Sequence, residues 1–259
     1  MKDYIETATV KDGGENWVEK IYNKATAPTT IKYVGFLGLA LFFGLMISAI
    51  LVAWPAGPNP SSEAFTIFDN WISDMGNHNH TPAPWLLDSA LICTGIILIP
   101  FHFYTDKHLA PIPKSPEDLP APHRWTYRLS GMSFFFNLAG SAGMILVGIF
   151  SEDRDYGLHL PFSILLFGAF AFGAIFLGLS LTISDRKLVP GPWNYLLGAY
   201  GVHGLLTVGA IAGYNLFLDT AMAKFWEWMI LIALIAWILP LFFFSLRHAE
   251  KLLKTEKGK

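Results

Sequence analysis

Aspartate and histidine side chains are concentrated in two short polar segments of an otherwise apolar chain. The first segment is Phe65–His80, which contains Trp71-Ile-Ser-Asp-Met-Gly76 and Asn77-His-Asn-His80, and the second is Ser151–His159. Carboxylates and imidazoles are ligand types for a divalent metal, and a metal-bound water can hydrolyse an ester or amide. The same side chains can instead form a hydrogen-bonded lock between the segments. The residues proposed for either role are Ser73, Asp74, Gly76, His78, His80, Asp153 and His159.

The spacing of these residues favours the lock over a metal centre. His78 and His80 are two positions apart, so their rings share a side only if that segment is extended. The chain contains neither a His-Glu-x-x-His metal motif nor a Gly-x-Ser-x-Gly nucleophile motif. If a metal is bound, the expected ligands are His78, His80 and His159.

Six long apolar stretches determine the expected fold. The chain is 53% hydrophobic and 15% charged, against roughly 25% charged in a typical soluble domain. Each stretch exceeds the about 20 residues that a helix needs to cross a bilayer. We therefore predict an all-α integral membrane protein with six transmembrane helices in one bundle. The stretches are 33–54, 84–105, 128–150, 160–183, 194–218 and 226–246.

The distribution of positive charge predicts the orientation. All but two of the 18 Lys and Arg residues precede the first stretch, follow the last, or lie in the second and fourth loops and the flank of the second loop. Because such residues favour the cytoplasmic side, we expect both termini inside, in the cytoplasmic or plasma membrane. The two exceptions, Arg154 and Lys224, lie in loops three and five, which then face outward.

The chain divides into three parts. Residues 1–32 are expected to form a cytoplasmic segment in which Trp17, Val18 and Ile21 lie on one face of an interfacial helix. Residues 33–247 form the six-span domain, and 248–259 a basic cytoplasmic tail. In loop one, between the first two stretches, Phe65, Phe68 and Ile72 recur at helical spacing and predict a short amphipathic helix ending near Gly76.

Three polar residues fall within the apolar stretches. Asp88 is near the start of the second, while Asn137 and His203 are near the middles of the third and fifth. Polar groups at membrane depth usually face a bundle interior or a water-filled cavity. We expect Asn137 to hydrogen-bond between helices, and His203 to be a hydrogen-bonded packing residue rather than a ligand.

The segment Trp71–Gly76 resembles the "ISD-x-G" signature of the six-span damage-regulated autophagy modulators and of related proteins that remodel GPI lipids. Asn137, Gly148-Ile-Phe150, Asp153 and His159 also fall where that family places corresponding residues. The family's usual Pro-Glu after the glycine is replaced here by Asn77–His80. The resemblance implies the six-span topology and an association with lipid handling or membrane stress, and it brings no established catalytic residues.

Two functional hypotheses follow. The first is a non-enzymatic protein that binds or organises lipids, or scaffolds partners, through a polar outer lid made by loops one and three. The second is a metal-assisted hydrolase or transferase acting on lipid headgroups; an accessory subunit of a larger membrane complex is a further alternative. We expect the bound group to be a lipid rather than a divalent metal. The expected partners are membrane lipids, a membrane subunit or a second copy of this chain. No basic aromatic patch indicates nucleic-acid binding.

Overall fold

The computed structural model describes residues 16–53, 65–109, 121–154, 156–184 and 188–257. All regular structure in these ranges is helical. A π-helical turn at Tyr200–Gly204 joins two of the helices, and 3-10 turns lie at Ser73–Gly76 and Glu152–Arg154. The helices are α1 (Trp17–Ala25), α2 (Pro28–Ala53), α3 (Trp85–Leu109), α4 (Ala121–Ile149), α5 (His159–Ile183), α6 (Gly191–Ala199), α7 (Leu205–Phe217) and α8 (Ala223–Lys257).

Six segments of this structure are long and apolar enough to cross a membrane. They are α2, α3, α4, α5, the continuous run of α6 and α7, and α8. Each coincides with one of the six apolar stretches, so the prediction of a multi-pass, all-α membrane protein is confirmed at this level. The sequence determines these helices through length and apolarity, because a chain in lipid must satisfy its backbone hydrogen bonds internally.

The six spans form a closed ring in chain order. Each packs against the next, and α8 returns to pack against α2. At one end, α1 meets the end of α3, where Lys107 Nζ donates to Thr26 Oγ1 at 2.8 Å. At the same end, the end of α8 lies beside the start of α2, and Lys32 pairs with Glu250 at 3.5 Å. We call this the terminal end. The described parts of loop one (65–84) and of loop three (150–154 and 156–158) lie at the other end, which we call the loop end.

Close approach between α4 and α5 depends on small residues. A Cβ placed on Gly143 would lie 2.7 Å from the backbone nitrogen of Leu166, which is too close for any side chain. Farther along the same pair of helices, the amide of Asn137 occupies the space in front of Gly173. Since lipid supplies no hydrophobic drive for helix association, such close contacts and buried polar groups hold the spans together.

Helix α1 has an exposed apolar face. Asn16 caps its first turn by accepting a hydrogen bond from the Glu19 backbone N–H at 2.9 Å. Trp17 is 74% exposed, and Val18 and Ile21 are also exposed. The helix therefore presents the apolar face expected of an interfacial segment. Residues 1–15 of the N-terminal segment and 258–259 of the basic tail lie outside the described residues.

The segment Phe65–Gly76 is less regular than the amphipathic helix expected there. It contains a turn at 67–69 and the single 3-10 turn Ser73–Gly76. Its apolar residues Phe65, Ile72 and Met75 are nevertheless buried, in a cluster with α2, α3 and Trp228 of α8. Contacts with these helices, rather than helical periodicity, determine this conformation.

His203 does not face the bundle interior as polar residues in spans usually do. It is exposed, within the π-helical turn between α6 and α7. The buried face of this span carries Gly198 and Gly201, which approach Gly178 of α5 and Trp237 of α8. Because that face makes the helix contacts, His203 is directed to the outer surface of the bundle.

Candidate functional site

An apolar cavity lies inside the bundle beneath loop one. Its volume is about 160 Å³, and residues of α2, α3, α4, α5 and α8 line it. Most of its wall is hydrophobic, with side chains such as Leu91, Phe170 and Leu234. Toward the loop end its lining becomes polar, and the residues there are Ser73, Asp88, Ser151, His159, Ser163 and Glu227.

Asp74 is the buried centre of loop one, with only 4% of its surface exposed. Its Oδ2 accepts hydrogen bonds from the backbone N–H of Trp71 at 2.9 Å and from Asn70 Nδ2 at 3.0 Å. Its Oδ1 lies 3.9 Å from His80 Nε2. These bonds satisfy polar groups that the 3-10 turn leaves open, which explains a carboxylate at this position.

The start of α8 binds loop one through three hydrogen bonds. Glu227 Oε2 accepts from the backbone N–H of Ile72 at 2.7 Å, and Trp228 Nε1 donates to the carbonyl of Asn70 at 3.0 Å. Lys224 Nζ donates to the carbonyl of Asp69 at 2.5 Å. Positions 224, 227 and 228 share one face because neighbours on a helix surface are three and four residues apart.

Loop three is attached to α3 and to loop one. Arg154 forms an ion pair with Asp88 at 2.6 Å and donates to Ser151 Oγ at 3.0 Å. Asp153 Oδ2 accepts from the backbone N–H of His78 at 2.8 Å. Gly157 has a φ of +75°, a conformation that glycine adopts without strain as the loop turns into α5.

Three carboxyl groups interact electrostatically where these segments meet. Glu152 hydrogen-bonds to Asp74, and the charges of Asp74 and Glu152 both act on Glu227. Burial raises the pKa of Glu152, and the neighbouring Asp74 carboxylate raises it further. A hydrogen bond to Asn77 and the charge of the nearby His159 lower it in part. The buried Oε2 of Glu152 has no hydrogen-bond partner in the structure. A hydrogen bond between two carboxyl groups requires one to carry a proton.

The predicted histidines do not converge. His78 Nε2 lies 3.9 Å from Asp153, and His80 faces Asp74 instead. His159 lies at the cavity, where its Nδ1 bonds to the carbonyl of Phe150 at 2.8 Å and must therefore carry a proton. Across the described ranges, no three His, Cys, Asp or Glu side chains are grouped so that they could hold a metal ion.

The remaining predicted residues lie around the cavity. Gly76 packs so closely on Asp88 that a Cβ there would be 3.1 Å from its Oδ1, and Ser73 contributes to the polar lining. Deeper in the bundle, Asn137 Nδ2 donates to Ser133 Oγ at 2.9 Å and also borders the cavity. All seven proposed residues thus belong either to the paired groups or to the cavity wall at the loop end, and Gly76 is part of that wall.

Sequence reasoning did not single out Glu227, Glu152 or Arg154 as site residues. Glu227 could have been identified from the sequence, because a carboxylate one residue into the sixth apolar stretch is energetically costly unless it faces a polar interior. Arg154 is one of only two cations on its predicted side of the membrane, and it pairs with the carboxylate buried at the start of α3. The contacts themselves join residues up to 158 positions apart, which no local pattern reveals.

Comparison of this chain with models of protein families, with curated proteins and with solved structures gives no match. The functional proposal therefore rests on the cavity and on the geometry and charge of the residues at the loop end.

Proposed function

We propose that this protein is a membrane lipid-binding protein whose cavity takes part of one lipid chain while the headgroup lies under loops one and three. The observation that carries this proposal is the cavity itself. Its wall is mostly apolar, most of its polar groups lie toward the loop end, and the hydroxyl of Thr94 and the amide of Asn137 lie deeper within. This arrangement matches an amphiphile, which places its apolar and polar parts in the same order along the membrane normal. The resemblance of Trp71–Gly76 to proteins of lipid handling supports the same function.

The size of the cavity limits what it can hold. Its volume of about 160 Å³ is close to the about 150 Å³ of an engineered cavity that binds benzene. It therefore takes about six carbon atoms, a segment of one chain, and the rest of the lipid extends between the spans. Binding would organise a lipid at the bundle without requiring a chemical step.

We place the protein in the cytoplasmic or plasma membrane, with the loop end outside the cell and both termini in the cytoplasm. The support is the accumulation of Lys and Arg at the terminal end, where Lys24, Lys32 and Lys107 lie with Arg247 and Lys251. In this orientation the headgroup site opens toward the outer leaflet.

A cavity-filling substitution tests the proposal. Leu234 lies in the cavity wall on α8, and Leu234→Trp should fill much of the space that a chain would occupy. We expect binding of 1-monododecanoylglycerol, measured by native mass spectrometry on detergent-purified protein, to weaken about tenfold. Loss of contact with two methylene groups, at about 0.8 kcal/mol each, gives this magnitude.

The matched control is Leu206→Trp. Leu206 is 56% exposed on the outer face of α7, so the same increase in size there should leave binding unchanged. Equal binding by the wild type and both variants, each with an unchanged melting temperature, would show that the cavity is not a lipid site.

A further inference from the structure

Thr94, in the middle of α3, has a buried hydroxyl without a hydrogen-bond partner. The residue is 8% exposed and contributes to the cavity wall, and its Oγ1 makes no hydrogen bond in the structure. In the same helix, Thr105 Oγ1 donates to the carbonyl of Phe101 at 2.9 Å, which is the usual way a helical threonine satisfies itself. Because an unsatisfied buried hydroxyl is unfavourable, Thr94 indicates a missing partner inside the cavity.

The position of Thr94 relative to the polar lining gives the spacing of that partner. Asp88 and Thr94 are on the same helix, six residues apart, and both face the cavity. At 1.5 Å per residue, this places the hydroxyl about 9 Å below the polar groups of the loop end. An occupant that hydrogen-bonds both to the polar groups of the loop end and to the Thr94 hydroxyl needs a polar headgroup and a second polar group farther along its chain.

The charges at the loop end restrict the headgroup. The carboxyl groups of Asp88 and Glu227 line the cavity there. Those of Asp74 and Glu152 lie outside its lining and act on Glu227 through their charge, while Arg154 is already paired with Asp88. Carboxylates accept hydrogen bonds and repel anions, so a phosphate or carboxylate headgroup would be disfavoured and a hydroxyl group favoured. A hydroxyl on Thr94 can in turn donate to a carbonyl oxygen.

Resting on the proposed lipid-binding function, we infer that the cavity selects a neutral lipid with a hydroxylated headgroup and an ester or amide carbonyl that accepts a hydrogen bond from Thr94. The acylglycerols and the ceramide-like amides have this chemistry. The carbonyl separates this class from lipids with an ether link, and the absence of charge separates it from phospholipids.

Two probes that differ only in the carbonyl test the role of Thr94. The first is 1-monododecanoylglycerol, an ester, and the second is 1-O-dodecylglycerol, an ether. We expect the wild type to bind the ester three- to tenfold more tightly, the range given by one hydrogen bond. Thr94→Val, which keeps the side-chain shape, should bind both probes equally, while Thr105→Val should keep the preference for the ester.

The outcomes separate this inference from the proposed function. If Leu234→Trp weakens binding of both probes but wild type and Thr94→Val show the same ester-to-ether ratio, the cavity binds lipid and the assignment of Thr94 is wrong. If Leu234→Trp affects neither probe, the lipid site itself is wrong. Dodecyl phosphate supplies the charge test: we expect at least tenfold weaker binding than the ester, and equal binding would overturn the assignment of a neutral headgroup.

Discussion

Glu152, at the loop end, has surroundings that favour the protonated form of its carboxyl group. One of its oxygens is buried without a hydrogen-bond partner, and its carboxyl group is bonded to that of Asp74. A proton shared by this pair removes the repulsion between the two carboxylates. The folded state therefore favours protonated Glu152 more than the unfolded state does.

This preference makes stability depend on pH. Because burial and Asp74 raise the pKa of Glu152, the contribution is fully present below the ordinary pKa of glutamate and is lost as the pH rises through the raised value. We expect the free energy of unfolding to fall over this interval. Glu152→Gln should flatten that part of the profile, measured by chemical unfolding in detergent, and an unaltered profile would show that another group titrates.

At the level of single residues, the sequence predicts which side chains matter better than it predicts their partners. Asp74, Asp153 and His159 were identified from residue type and position in polar loops. The pairing of Asp153 with the His78 backbone, and the binding of Ile72 by Glu227, depend on how distant helices pack. These contacts follow from the closed ring of spans, and no spacing within either segment encodes them.

Among the helices, α3 carries both the ion pair that attaches loop three and the hydroxyl that borders the cavity. Asp88 lies in its first turn, where its carboxylate is favoured by the helix N-terminus as well as by Arg154. The carboxylate side chain is 12% exposed, whereas that of Arg154 is 55% exposed. Removal of the arginine would therefore leave the more buried partner without its counterion.

A double-mutant cycle measures this attachment. We expect Arg154→Gln to lower the free energy of unfolding by about 2 kcal/mol, because an unpaired, largely buried carboxylate remains. Asp88→Asn in that background should recover part of the loss, since the amide needs no counterion. Chemical unfolding in detergent micelles gives all four values, and strictly additive effects would show that the two residues are not coupled.

The helices themselves could be predicted from apolar length, but their irregularities could not. The run 194–218 reads as one continuous span, yet it contains a π-helical turn at Tyr200–Gly204. Gly198, just before this turn, lies against α5, and Gly201, within the turn, lies against α8. Such a choice depends on packing between helices, whereas hydropathy reports only that the segment is apolar.

For the molecule as a whole, the loop end and the terminal end must lie on opposite sides of the membrane. The accumulation of Lys and Arg predicts which side each faces. In a Cys93→Ser background, Asp69→Cys should react with a membrane-impermeant maleimide in intact cells, because Asp69 is exposed in loop one. Lys254→Cys, exposed near the end of α8, should react only after permeabilisation.

Permeabilised cells are the control for this experiment, since both cysteines should then react. Labelling of Lys254→Cys but not of Asp69→Cys in intact cells would reverse the proposed orientation. It would leave the cavity and its contacts as they are, but would place the headgroup site at the cytoplasmic leaflet.

Helix α8 is longer than a membrane span requires. Its 35 residues extend about 52 Å at 1.5 Å per residue, against a hydrocarbon thickness of about 30 Å. Part of this extra length packs on the bundle, because Ala249 is fully buried and Glu250 pairs with Lys32 at the start of α2. The residues from Lys251 to Lys257 then continue the same helix for about 10 Å beyond that pair. A fluorescent protein fused without a linker after Lys257 would consequently be joined to the bundle by one helix, and its polarised emission would report the tilt of the whole bundle.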